Sequence, residues 1–255
     1  MSTGKQTKIN RLLQSQPSGV VFLTSWMELN GYSRELQRKY IRSGWFEPIG
    51  RGALIRTGQK VDWLGALFSI QNQLNAKIHI GGRTALNILG LSHYLELGEK
   101  KKILFAPRGT NLPDWFRHHN WNFEINLHKT DFLPFDTGLI PYEEKSFSVI
   151  ISSPVRAMME CLYLAPQNFN LLEAYQIMEG LTAIHPKDIQ LLLSECRSVK
   201  TVRLFLYMAF KAGHSWIKNV DLSGINSGKG KRSIVKKGIY ISDFKITVPV
   251  ELANA

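Results

Sequence analysis

Four cations, Arg34, Arg38, Lys39 and Arg42, crowd one short stretch of the chain. On a helix they lie mostly away from Leu36, Tyr40 and Ile41, which fall on one face. A helix that buries one side and offers basic groups on the other suits a DNA major groove, where such side chains bond base edges and phosphates. Tyr32 and Ser33 stand near its start, where they can meet a base or a phosphate. Arg51 lies between Gly50 and Gly52, the expected tip of a hairpin. From there it can reach a phosphate or a narrow minor groove. Arg56, at the end of the hairpin, completes the basic set. A solvated surface helix has the same composition; the hairpin with an arginine tip directly after it is what favours nucleic acid.

Other groupings carry weaker chemistry. Pro113-Asp114, followed by Glu124-Ile125-Asn126 on an expected strand, approaches the pattern of metal-dependent nucleases. That reaction needs two carboxylates to hold Mg²⁺ and a lysine to assist the attacking water. Asn126 occupies the lysine position, and Lys129 is out of phase. Asp114 equally suits a helix cap before Trp115-Phe116. His118 and His119 are adjacent, so they diverge on a helix or a strand and do not chelate together. His79 and His93 read as hydrogen-bonded structural residues. Gly81-Gly82, between a strand and a helix, resembles an anion-binding turn. Without GxGxxG or a P-loop lysine, a tight strand-to-helix turn is the better reading. Gly224 to Gly230 is one residue short of a Walker A loop and has Gly230 where Ser or Thr should ligate Mg²⁺, so ATP binding is rejected. What remains there is a basic run, Lys229, Lys231, Arg232, Lys236 and Lys237. It can contact a nucleic acid or an acidic protein face, or be a solvated loop. No metal site, cofactor or nucleophile–base pair is expected. Cys161 and Cys196 sit in apolar segments and read as buried free thiols.

These residues need a scaffold. Thr24 is expected to cap a short helix with an apolar face of Trp26, Met27 and Leu29. Asn30-Gly31 breaks it, Ser33 caps the basic helix, and Gly44 stops that helix after Ser43. Strands at 45–49 and 53–56 form the hairpin, and a helix at 5–15 precedes the set. Residues 1–57 thus read as a winged helix-turn-helix DNA-binding domain, and 57–60 as a polar connector. Residues 58–255 read as a second domain. Its first part, 58–151, is mixed α/β, with helices at 62–74 and 83–89 and strands at 77–80, 102–106, 122–127 and 146–151. Helices at 154–164, 169–180, 186–196 and 199–212 fill 152–213. A basic, β-rich tail covers 214–255, with strands at 239–241 and 244–248. The fold class is α+β, an N-terminal winged helix-turn-helix followed by a mixed α/β and largely helical C-terminal domain.

The 255-residue chain is 44% hydrophobic and 11% aromatic, which argues for a folded protein with a sizeable core. Its net charge of +12 is concentrated at the ends, +6 in residues 1–57 and +7 in 198–255, against −1 between them. Basic ends attract a polyanion. The N-terminus lacks an apolar h-region and no run of about 18 apolar residues occurs, so a cytoplasmic protein with no membrane contact is expected by elimination.

Several segments resemble one known family. They are Gly44-Trp45, Ile49-Gly50-Arg51-Gly52 and Arg56, then Asp62-Trp63-Leu64-Gly65-Ala66-Leu67. His79-Ile80-Gly81-Gly82-Arg83-Thr84-Ala85-Leu86 and Gly90-Leu91-Ser92-His93-Tyr94-Leu95 follow, with Ser227-Gly228-Lys229, Lys231-Arg232 and Ile246-Thr247-Val248-Pro249 in the tail. Together they resemble the AbiEi-type antitoxins of bacterial type IV toxin–antitoxin (abortive-infection) systems, a branch of transcriptional regulators. The resemblance implies a winged helix that binds inverted repeats in operator DNA upstream of its own operon and represses it. It also implies that the remainder counters a cognate AbiEii-type nucleotidyltransferase toxin, without being an enzyme and without requiring a stable toxin complex. A palindromic operator would imply two protomers or two winged helices per site. The rival readings are a stand-alone winged-helix transcription factor with a sensing or oligomerisation region, and a degenerate metal-dependent nuclease.

Overall fold

The computed structural model of the chain describes residues 7–91 and 101–255. Lys5 and Gln6 of the expected first helix, and Ser92 to Leu95 with His93, lie outside the described residues.

The first elements are α1 (Lys8–Gln14), β1 (Phe22–Leu23), α2 (Thr24–Leu29), α3 (Arg34–Arg42), β2 (Phe46–Gly50) and β3 (Ala53–Arg56). The strands form an antiparallel sheet of order β1-β3-β2. This is a winged helix. Its core is Leu12, Phe22, Met27, Tyr32, Tyr40, Phe46 and Leu54, with Phe22 and Phe46 edge-to-face at 5.0 Å. Burying a side chain of this size contributes about 1.5–3 kcal/mol.

Three details differ from expectation. Leu23, not Thr24, takes the N-cap position of α2. The Thr24 amide instead donates to Gly52 O at 3.0 Å, so the backbone is still tied to the wing where the helix begins. Leu29 is 86% exposed, because two residues turn a helix by about 200° and set it opposite Met27. On α3 the buried residues are Gln37 and Tyr40, while Ile41 is exposed. Gln37 holds its place by donating to Thr24 O (3.0 Å) and Tyr32 O (2.8 Å), bonds that Ile41 has no means to make.

Helix α4 (Trp63–Gln73) starts at Asp62, whose carboxylate accepts from the Gly65 amide at 2.8 Å. Two of its polar residues bond the open edge of the first strand. Ser69 Oγ accepts from Val21 N and donates to Val21 O; Gln73 accepts from Leu23 N and donates to Val21 O, all at 2.7–3.0 Å. An exposed strand edge is thereby closed by side chains. A Cβ on Gly65 would lie 1.9 Å from Gly19 O, so this approach requires glycine.

Next come β4 (His79–Ile80), α5 (Gly82–Ile88), β5 (Lys101–Ala106), α6 (Asp114–His118), β6 (Glu124–Lys129), β7 (Leu139–Glu144) and β8 (Phe147–Ser152). The strands form a sheet of order β6-β5-β4-β8-β7, in which Ile80 pairs antiparallel with Leu104 and parallel with Ile151. Strand β7 was not anticipated. Pro141 interrupts its pattern, and the strand lies at the sheet edge, where proline is tolerated.

The helices α7 (Pro154–Leu164), α8 (Leu171–Gly180), α9 (Pro186–Glu195) and α10 (Val199–Lys211) lie where the sequence places them. Ser153, Asn170 and Ser198 cap three of them with side-chain oxygens. The tail folds as β9 (Arg232–Ser233), β10 (Ile239–Ile241), β11 (Ile246–Val248) and α11 (Val250–Asn254), in a sheet of order β10-β11-β9. The architecture is α+β. The chain divides into two compact units, one from Met1–Ile78, Thr110–Glu124 and Pro141–Ile150, the other from His79–Gly109, Ile125–Ile140 and Ile151–Ala255.

Candidate nucleic-acid interface

Helix α3 owes its orientation to both faces. Ser33 Oγ accepts from the Leu36 amide at 3.3 Å and fixes the start, and Gly44 at φ 71° turns the chain away at the end. With Gln37 and Tyr40 facing inward, Arg34, Glu35, Arg38, Lys39 and Arg42 are all exposed. Arg34 is partly engaged, in an ion pair with Glu28. Among the described residues, Arg38, Lys39, Arg42 and Arg51 form no side-chain hydrogen bond or ion pair. Arg51 is exposed at the hairpin turn beside Gly52, whose φ is 83°. The wing is backed by α6, since a Cβ on Gly50 would lie 2.7 Å from Trp115 Cβ.

Two of the sequence-selected residues face elsewhere. Tyr32 is 8% exposed and belongs to the core, with Lys8 Nζ over its ring at 5.4 Å. Arg56 turns inward. Its Nη2 donates to Leu13 O at 2.5 Å and Gln16 O at 2.7 Å, and its guanidinium lies over Phe22. These carbonyls, at and just beyond the end of α1, want a donor, and burial lowers the Arg56 pKa. Trp45, expected on the strand, precedes it and is 45% exposed.

The second basic cluster lies in the tail. Lys229, Lys231, Arg232, Lys236 and Lys237 are exposed, and Lys231 Nζ sits 5.0 Å from the Tyr240 ring centroid. The preceding loop is arranged around buried Arg203, which donates to Ser227 O, Gly228 O, Gly230 O and Lys245 O at 2.6–3.0 Å. Carbonyls converge on a cation here, the reverse of the amide cradle that holds a phosphate.

The Gly81-Gly82 turn does meet an anion, but one from the chain itself. Glu160 Oε2 accepts from Gly82 N (2.8 Å) and Ser152 Oγ (2.7 Å), while Oε1 accepts from His79 Nε2 (2.8 Å) and Arg156 Nε (2.9 Å). A Cβ on Gly81 would lie 2.3 Å from Glu160 Oε2, which is why glycine stands there. Burial pushes the Glu160 carboxyl up, but His79, Arg156 and Ser152 outweigh it and hold it below its usual range. Burial pushes His79 down, against the pull of Glu160. His79 is thus the structural histidine expected.

The carboxylates of the nuclease pattern stand on separate elements. Asp114 lies in the first turn of α6 and pairs with Arg117, and Glu124 is exposed at the start of β6. Among the described residues no group of three or more His, Cys, Asp or Glu side chains is placed to hold a metal ion. Cys161 and Cys196 are free and buried. Burial raises both thiols, Cys196 to about 11, so neither is reactive. Sequence reasoning missed Gln37, Glu160 and Arg203, because polar residues destined for burial leave no local periodic signal.

The fold is similar to that of the RV2827C protein from Mycobacterium tuberculosis, with a TM-score of 0.56 and 14% identity over 89% of this chain and 85% of that one. No curated protein matches the chain. A family model described as "Transcriptional regulator, AbiEi antitoxin, Type IV TA system" matches residues 99–249. A second, described as the AbiEi antitoxin N-terminal domain of a transcriptional regulator, matches residues 5–97. The chain therefore belongs to the AbiEi antitoxin family of transcriptional regulators of type IV toxin–antitoxin systems, a family of regulators and not of enzymes.

Proposed function

We propose that this antitoxin represses its own operon by binding inverted repeats in operator DNA through residues 1–57. Residues 58–255 then counter a cognate AbiEii-type nucleotidyltransferase toxin. The observation that carries the DNA half is the outward face of α3, where Arg38, Lys39 and Arg42 stand exposed and unpaired beside Arg34, with Arg51 at the wing. Ser33 remains at the base-proximal end of the helix as its cap. Tyr32 and Arg56 are left out of the interface, since the core and the α1 carbonyls occupy them. In the tail, Lys229, Lys231, Arg232, Lys236 and Lys237 offer a second contact, for a polyanion or for an acidic partner face. Among the described residues no helix is long and apolar enough to cross a membrane.

A gel-shift titration of the purified protein against its own upstream region, at two salt concentrations and beside a scrambled duplex, tests this. Tight, selective and salt-sensitive binding is expected. Equal, weak binding to both duplexes would remove the repressor role. Co-expression with an AbiEii-type nucleotidyltransferase encoded beside it tests the other half, with restored growth as the expected result; the absence of such a gene favours a stand-alone transcription factor.

A further inference from the structure

We propose that Glu35 reads a cytosine in the operator, so that α3 selects base sequence with a carboxylate set among its cations. The inference deepens the operator-binding reading above and rests on it.

Glu35 lies in the first turn of α3, the part of a recognition helix that contacts base edges. At about 100° per residue, it points away from buried Gln37 and Tyr40 and falls within about 60° of Arg38 and Arg42. It therefore lies near the centre of the outward face. The side chain is exposed, and among the described residues it forms no hydrogen bond or ion pair, although four cations flank it in sequence. Glu28, by contrast, is engaged by Arg34.

A carboxylate on a face that meets DNA is repelled by every phosphate. It stabilises the complex only where a base presents a donor. In the major groove those donors are the exocyclic amines of cytosine and adenine. Beside the adenine amine lies the N7 acceptor, which repels a carboxylate, whereas cytosine offers its N4 amine without that neighbour. The guanine paired with it displays O6 and N7, acceptors suited to a guanidinium such as Arg38, three residues along the same face. Glu35 and Arg38 together are complementary to a G·C pair. A first-turn acid also favours the positive end of its own helix, but that effect changes stability and not base preference.

The test uses the full-length protein, as wild type, Glu35→Gln and Glu35→Ala. Each is titrated against the upstream duplex and against duplexes carrying every single base-pair replacement, with melting temperature measured in parallel. Wild type should lose roughly 5- to 150-fold in affinity when one particular G·C pair per half-site is replaced, the range of a good side-chain–base contact. Glu35→Ala should bind all four pairs there alike and keep wild-type preferences elsewhere. An unchanged base profile in Glu35→Ala, or preferences lost at every position together, would overturn the assignment while leaving operator binding intact. A wild type that discriminates at no position would overturn the operator reading itself.

Discussion

Glu160 is removed from water yet stays an anion, because Gly82, Ser152, His79 and Arg156 all direct hydrogen-bonding groups at it. Such a group is costly to disturb from one side. In Glu160→Leu the Arg156 guanidinium keeps its carbonyl partners Pro134 O and Phe135 O but loses its counter-charge. A loss of about 3–5 kcal/mol is expected in urea denaturation. The same cluster makes stability depend on pH. Both His79 and Glu160 have folded pKa values below their ordinary ones, so the unfolded chain binds protons first. Stability is then full at neutral pH and falls on acidification, through the His79 contribution below about 6.5 and the Glu160 contribution below about 4.5. The urea midpoint should be lower at pH 5 than at pH 7.5, and a His79→Gln variant should lose most of that difference. A flat wild-type profile over this interval would contradict the assignment. On the winged helix, one residue type has two roles. Arg38→Ala and Arg42→Ala should each reduce the slope of log affinity against log salt by about one. Arg56→Ala should leave the slope unchanged and lower the melting temperature.

At the level of elements, punctuation is what the sequence makes legible. Ser33 and Gly44 bound α3, and Ser153-Pro154 starts α7, because caps and positive-φ glycines act within a few residues. Ser33→Ala should therefore cost about 1 kcal/mol in stability. It should also weaken operator binding without altering the salt slope, since the helix is loosened but no cation is removed; a changed slope would mean that loosening the helix displaces its cations from the phosphates. What is not legible is the distant partner. The tight strand-to-helix turn at Gly81-Gly82 can be read locally, but the anion it meets, Glu160, is 78 residues from Gly82 in the chain. Nor does sequence reveal that Ser69 and Gln73 of α4 close the edge of β1, or that Gln37 replaces Ile41 on the buried face of α3. Arg51 and Arg56 look alike in sequence. They part because the hairpin turn leaves one in solvent, whereas the other meets the open carbonyls at the end of α1. The basic face of the candidate interface was thus legible, and its exact membership was not.

Across the whole molecule, charge and stoichiometry decide how an operator is read. Many cations serve the fold itself: Arg56, Arg156 and Arg203 bond backbone carbonyls, as does Lys200 with Tyr163 O. On the proposed operator reading, the exposed remainder on α3 and at the wing is the base-reading surface of each chain. On that reading one chain of 29.0 kDa would cover one half-site, and an inverted repeat would need two. Native mass spectrometry of the complex should show two chains per duplex at saturation. The two half-sites must also face the same side of DNA for the chains to meet, so spacing is a geometric constraint of about 10–10.5 base pairs per turn. Inserting five base pairs between the repeats turns one half-site to the opposite side and should abolish cooperative binding. Inserting ten restores the facing and should recover part of it. If both insertions bind with wild-type cooperativity, the protomers do not touch on DNA and repression comes from independent occupancy. If one chain saturates the full repeat, the basic tail, and not a second winged helix, reads the other half-site.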